Sequence, residues 1–192
     1  MNKIILASSS PRRIDMMKSR GYDIDIKPAF IDETISHGTA PTDAVKLLAL
    51  KKAKACEKAI LSENPAETGT IIIGADTVVY KDQIMGKPKN RADAARMLRS
   101  IRGTYHYVTT GVAIIKAGTS FEKIFYDVTK VFCSDFSDEE LNAYLDTDEP
   151  YDKAGAYAIQ GVFKKYIQKF EGNFDTVVGF PIDLVENELK KL

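Results

Sequence analysis

The sequence predicts an α/β fold built on a mixed sheet, and three observations carry that reading. Short apolar strand runs alternate with helical periodicity through the first half of the chain. Two long β-rich stretches, joined by Ala117-Gly118-Thr119-Ser120, follow in the second half. Cap and stop signals stand where each helix must begin and end.

The elements follow in order. Residues 3–7 form an apolar strand, and residues 11–20 a helix with Ser10 as N-cap, Pro11 at its first position and Gly21 after its end. Residues 22–27 alternate Ile24 and Ile26 with Asp23 and Asp25, a half-buried strand. Thr42 is placed as the cap of a long helix reaching about residue 61, with Val45, Leu48, Ala49 and Ala53 on one face. Residues 61–70 are polar, contain Pro65 and Gly69, and read as a surface loop. Residues 70–74 are β-branched, which suits a strand buried on both faces. Residues 78–85 read as a hairpin turning at Lys81-Asp82-Gln83. Asn90 caps a helix over 91–102, and residues 105–116 and 121–132 form the long antiparallel pair. Ser137 and Glu140 make a capping box for a helix to residue 145. Short strands are expected at 162–167 and 176–178, then a helix behind Pro181.

Composition narrows the function classes. The 192 residues are 44% hydrophobic, enough for a core in one domain or two small lobes. Lys plus Arg total 27 and Asp plus Glu total 27, a balance that argues against broad binding to nucleic acid or an anionic membrane. Apolar runs are too short to span a bilayer, and the start of the chain lacks the apolar stretch of a signal peptide. Cys56 and Cys133 fit no metal spacing and read as reduced thiols. A cytoplasmic protein is expected. His37 and His106 are too few and too far apart for a zinc site, and His106 reads as a packed residue.

The chemistry gathers at breaks in the pattern. Ser8-Ser9-Ser10-Pro11-Arg12-Arg13 joins a strand to a helix N-terminus, where unpaired N–H groups and the helix dipole favour an anion. Arg12 and Arg13 add forked donors that match phosphate oxygens. Lys54, Lys87 in Gly86-Lys87-Pro88, and Lys153 in Asp152-Lys153-Ala154-Gly155 are further cations beside loops or on the long helix. Asp76 is placed at the C-terminal end of the expected central strand, at the edge where open α/β sheets bind ligands. It is placed to orient and deprotonate a water, or to bind Mg²⁺, beside a phosphate. Glu33 is a candidate second carboxylate for the metal.

Taken together these segments resemble the Maf family of nucleoside triphosphate pyrophosphatases. The matching stretches are ILASSSPRR (5–13), IGADTVV (73–79), MGKPKN (85–90), A-x-x-M-L-x-x-I-x-G-x-x-H-x-V-x-T-G-V (94–112), YDKAGAYAIQG (151–161) and FDTVVGFP (174–181). The resemblance implies a single domain over 1–192. It implies an elongated mixed sheet flanked by helices, with two lobes around a central cleft, similar to the inosine triphosphate pyrophosphatases. It implies a house-cleaning hydrolase that converts a nucleoside triphosphate to the monophosphate and pyrophosphate with Mg²⁺ or Mn²⁺. Asp76 falls on the catalytic acid. Ser8, Arg13, Lys54, Lys87 and Lys153 fall on phosphate-binding positions, and Glu33 lies with Asp76 at the metal.

Arg12, Thr77 and Gln160 resemble the specificity positions of the dTTP/UTP subgroup, which extends the expected substrates to modified pyrimidine nucleotides. The Gln160 amide offers one donor and one acceptor, matching O4 and N3–H of uracil or thymine. Rival readings are a purine or 7-methyl-GTP pyrophosphatase, and a nucleotide-binding regulator of septum formation that does not turn over. A homodimer enters by resemblance alone.

Overall fold

The computed structural model describes residues 3–36 and 38–192, so His37 lies outside the described residues. In chain order the strands and α-helices are β1 (Ile4–Leu6), α1 (Pro11–Ser19), β2 (Ile24–Ile26), α2 (Pro41–Glu63), β3 (Ile71–Lys81), β4 (Gln83–Met85), α3 (Arg91–Ile101), β5 (Tyr105–Lys116), β6 (Glu122–Cys133), α4 (Asp138–Leu145), β7 (Ile167–Glu171), α5 (Phe174–Val178) and α6 (Ile182–Leu189). The strands form one seven-stranded mixed sheet in the order β2-β1-β3-β5-β6-β7, with β4 on β3. β1 runs parallel to β2 and β3, whereas β4 on β3 and β7 on β6 are antiparallel.

By its contacts the chain divides into two compact units. The first comprises Met1–Asp76, Thr110–Tyr126 and Gly179–Leu192. β1 and the first half of β3 bury both faces, which is why their sequences are continuously apolar, whereas the alternating β2 buries Ile24 and leaves Asp25 and Ile26 exposed. Ile4, Leu6, Ile71, Ile73, Ala75, Val112 and Ile114 face Met17 of α1 and Ile182 and Val185 of α6. Ile5, Ala7, Ile72, Ala113 and Ile115 face Ala49, Ala53, Cys56 and Ile60 of α2.

Two glycines set how closely α2 approaches the sheet. A Cβ on Gly74 would lie 2.2 Å from the Ala49 carbonyl oxygen, and one on Gly111 2.5 Å from the Val45 carbonyl carbon. Both are backbone contacts, so any side chain there forces the helix outward.

The second unit comprises Thr77–Thr109 and Asp127–Val178. Its centre is aromatic. Phe136, Tyr144, Tyr157, Phe163 and Tyr166 stack with centroid separations of 4.9–5.7 Å. His106 is fully buried, 2.6 Å from the Tyr157 hydroxyl. Burial lowers its pKa to about 3, with Lys81 contributing.

Several local expectations are corrected. The run 70–74 and the first arm of the hairpin are one eleven-residue strand, β3, because the chain stays extended through Asp76. α2 starts at Pro41, not at Thr42, since proline at the first helical position loses no hydrogen bond. Ser10 is the N-cap of α1 by backbone conformation, yet its side chain makes no capping bond. Residues 162–166 are a 3-10 turn, where Phe163 and Tyr166, three apart, both reach the aromatic centre. The strand follows it as β7. Residues 176–178 lie in helix α5, whose start is held by Asn173 Oδ1 accepting from Asp175 N at 2.9 Å. That local bond outweighs the β preference of Thr176, Val177 and Val178.

Candidate active site

The first unit gathers Ser8, Arg13, Glu33 and Asp76 with a residue not anticipated, Lys52. Asp76 lies on β3 in the same parity as Ile72 and Gly74, so its side chain emerges on the face that α2 covers. Close approach of α2 at Gly74 then brings Lys52 within reach. The Lys52 ammonium lies 2.6 Å from Asp76 Oδ1 and 2.7 Å from Glu33 Oε1.

Arg13 is fixed from three sides. Its Nε donates to the Gly179 carbonyl at 2.9 Å, and its Nη1 to the Ala75 carbonyl at 2.9 Å and to Ser8 Oγ at 3.3 Å. Ser8 Oγ also accepts from Ser10 N at 3.2 Å. Because that oxygen accepts twice, its own hydrogen is the group it offers to an anion. The carbonyl that holds Arg13 belongs to the residue before Asp76, so guanidinium and carboxylate are locked to the same stretch in the middle of β3. Arg12 follows Pro11 in the first turn of α1, next to Arg13.

Asp76 is 8% exposed. Burial raises its pKa above the ordinary carboxylate value, while Lys52 and Arg13 pull it back and Glu33 adds to the rise. The result is a carboxylate more basic than one in water, held between two cations.

The structure does not bring Lys54 to Asp76. Its ammonium pairs with Glu122 at 2.7 Å and Glu57 at 3.1 Å. The sequence signal for Lys52 was present: Val45, Leu48, Ala49, Lys52, Ala53 and Cys56 recur at helical spacing, so Lys52 interrupts the buried stripe. A cation on an apolar stripe needs a partner.

The second unit carries Thr77, Lys87, Lys153 and Gln160. Thr77 follows Asp76 on β3 and is half-buried. Gly155 N donates to the Gly86 carbonyl at 3.0 Å, which ties the loop of Lys87 to the loop of Lys153. Gly155 is left-handed, φ 69°, and a Cβ there would lie 2.7 Å from Val79 Cγ2, so both conformation and space require glycine. Lys153 pairs with its neighbour Asp152, and Gln160 is exposed.

A family profile described as Maf-like protein matches residues 3–192. The chain belongs to the Maf family. This Maf chain is 43% identical to a dTTP/UTP pyrophosphatase of Geobacillus sp. (strain WCH70), over 100% of its own length and 99% of that relative's. It is 40% identical to a dTTP/UTP pyrophosphatase of Acetivibrio thermocellus, over 99% and 95% of the two chains. A third, of Bacillus anthracis, is 42% identical over 100% and 96%. The fold of the Maf chain is similar to that of the Staphylococcus aureus Ham1 protein, with a TM-score of 0.51 at 13% identity, covering 99% of each chain.

Proposed function

We propose that this protein hydrolyses dTTP and UTP, and modified pyrimidine nucleotides of the same shape, to the monophosphate and pyrophosphate. The observation that carries this reading is the buried Asp76 carboxylate held against Lys52 and a clamped Arg13, in a chain that matches dTTP/UTP pyrophosphatases end to end. Asp76 is the base that orients and deprotonates the attacking water. Lys52 holds that carboxylate in place. Arg13, Ser8, Lys87 and Lys153 are proposed to bind the phosphates and stabilise the charge that grows on departing pyrophosphate.

The donor set suits a hard divalent cation. Asp76 and Glu33 present carboxylate oxygens to one point, now spanned by the Lys52 ammonium. Among the described residues no group of three or more His, Cys, Asp or Glu gathers for a metal. Two carboxylates completed by substrate phosphates are the usual Mg²⁺ arrangement. Bound there, Mg²⁺ or Mn²⁺ would make a water more acidic and neutralise phosphate charge.

Gln160, with Arg12 and Thr77, is proposed to select the pyrimidine. No helix among the described residues is long and apolar enough to cross a membrane. The two buried thiols fit the cytoplasm. A homodimer belongs to this reading by resemblance only.

The test is a panel of UTP, dTTP, CTP, ATP and GTP with pyrophosphate detection, with and without a chelator. Release of pyrophosphate from UTP and dTTP above the others, lost with chelator, is expected. Tight UTP binding with no pyrophosphate release would instead identify a nucleotide-sensing regulator.

A further inference from the structure

Glu149 opens a 3-10 turn over Glu149–Asp152, ahead of Lys153. Its carboxylate turns toward a later stretch of chain. Oε2 accepts from Val162 N at 2.7 Å, and Oε1 from Phe163 N at 3.3 Å. The Tyr144 hydroxyl lies 3.0 Å from Oε1 and 3.3 Å from the Ala156 carbonyl, a donor shared between the two. One carboxylate and one phenol thus hold both ends of the segment 156–163.

Gly161 shows how closely the turn is drawn onto that carboxylate. A Cβ there would lie 2.2 Å from Glu149 Oε2. Its φ is −100°, open to any residue, so a side chain there would strain no backbone but would push the Glu149 carboxylate aside. At the other end Ala156 is held at φ 63°, a left-handed conformation that costs a non-glycine residue about 1 kcal/mol or more. Between the anchors Tyr157 reaches His106 and Ile159 is buried, while Gln160 is exposed, as is Val162 just beyond it.

We propose that Glu149 is a positioning residue for nucleobase selection: with Tyr144 it clamps the turn that presents the Gln160 amide. The inference rests on Gln160 as the base reader in the proposed function. A hydrogen-bonding site discriminates only when its donor and acceptor are held in place. The Glu149 carboxylate is taken up by Tyr144, Val162 and Phe163, so its loss acts through the turn, on which base is accepted and how tightly.

The experiment measures kcat and KM for UTP, CTP, ATP and GTP in Glu149→Ala, Glu149→Gln, Tyr144→Phe and Gln160→Ala. Glu149→Ala is expected to raise KM for UTP about tenfold and cut the preference for UTP about tenfold, with kcat changed less than about threefold. A purely structural defect would lower kcat through the active fraction and leave KM unchanged. Glu149→Gln keeps an oxygen for Val162 N and should recover preference to within about threefold of the parent. Should Glu149→Ala not fold, Tyr144→Phe carries the test, since the ring stays in the aromatic centre; it should lower preference about threefold. Parental preference in Glu149→Ala and Tyr144→Phe, beside altered preference in Gln160→Ala, overturns the positioning role alone. Parental preference in Gln160→Ala removes the base reader and the proposal with it.

Discussion

The Lys52 ammonium sits 2.6 Å from Oδ1 of Asp76, joining the middle of the long helix to the centre of the sheet. That pair decides the state of the carboxylate. Burial raises the Asp76 pKa and Lys52 lowers it. Removing the cation therefore leaves the rise unopposed on that side.

Lys52→Met should move the acid limb of the kcat/KM profile to higher pH, because Asp76 then protonates more readily. In the parent that limb should already lie above the ordinary Asp value of about 3.9. A pH–rate series on both proteins checks this; a limb that stays put would mean Asp76 is not the group being titrated. The loss of activity at the optimum should also be at least about tenfold larger for Lys52→Met than for Lys54→Met, since Lys54 is held by Glu57 and Glu122.

Asp76→Asn should lower kcat by roughly 10²–10⁴-fold without lowering Tm at pH 7.5. The sign follows from the raised pKa. Between the ordinary and the raised value the folded state binds more protons than the unfolded chain, so this group favours the fold as pH falls through that window and opposes it above. A neutral amide avoids that cost. Pyrophosphate release and a melting curve on the same preparation test both halves.

Gly74→Ala should destabilise the protein by about 3 kcal/mol, the upper end for overpacking, because its Cβ meets the Ala49 carbonyl and not a flexible side chain. It should also weaken catalysis in the molecules that remain folded, since displacing α2 draws Lys52 from Asp76. Urea unfolding and single-turnover rates would report the two effects separately.

His106 should make stability depend on acid. Its folded pKa is lowered to about 3, so between about 6.5 and 3 the unfolded chain binds the extra proton and stability falls as pH falls. The slope from this group is about 1.4 kcal/mol per pH unit inside the window. Comparing urea midpoints of the parent and His106→Asn at pH 6.5, 5.5 and 4.5 isolates it, because the variant should lose that component.

Burial raises the thiol pKa of Cys56 to about 11 and that of Cys133 to about 12. Neither should react with a disulfide reagent at pH 8 until denaturant is added, since the thiolate is the nucleophile. Rapid labelling of the native protein would contradict the burial of both.

Much of this molecule was legible residue by residue. The apolar runs at Ile4-Ile5-Leu6 and Ile71-Ile72-Ile73 are strands, and the Asn90 and Ser137 caps start helices with the bonds their spacing implies. Asp76 stood out by its place after an apolar strand run, and Ser8 and Arg13 by the loop 8–13 and the family resemblance; Arg13 Nη1 bonds both Ser8 Oγ and the Ala75 carbonyl. These features are local: each depends on a few neighbours and on the period of a helix or strand.

What the chain order could not reveal was contact between distant segments. Lys52 differs from Lys51 and Lys54 only in the direction its side chain leaves α2, and that direction matters once Gly74 and Gly111 let the helix rest on the sheet. Glu149 reads as an ordinary loop acid until Val162 and Phe163 fold back onto it. Periodicity and capping are encoded within a turn or two of chain. The partners of a buried charge are settled only when packing brings remote backbone within hydrogen-bonding distance.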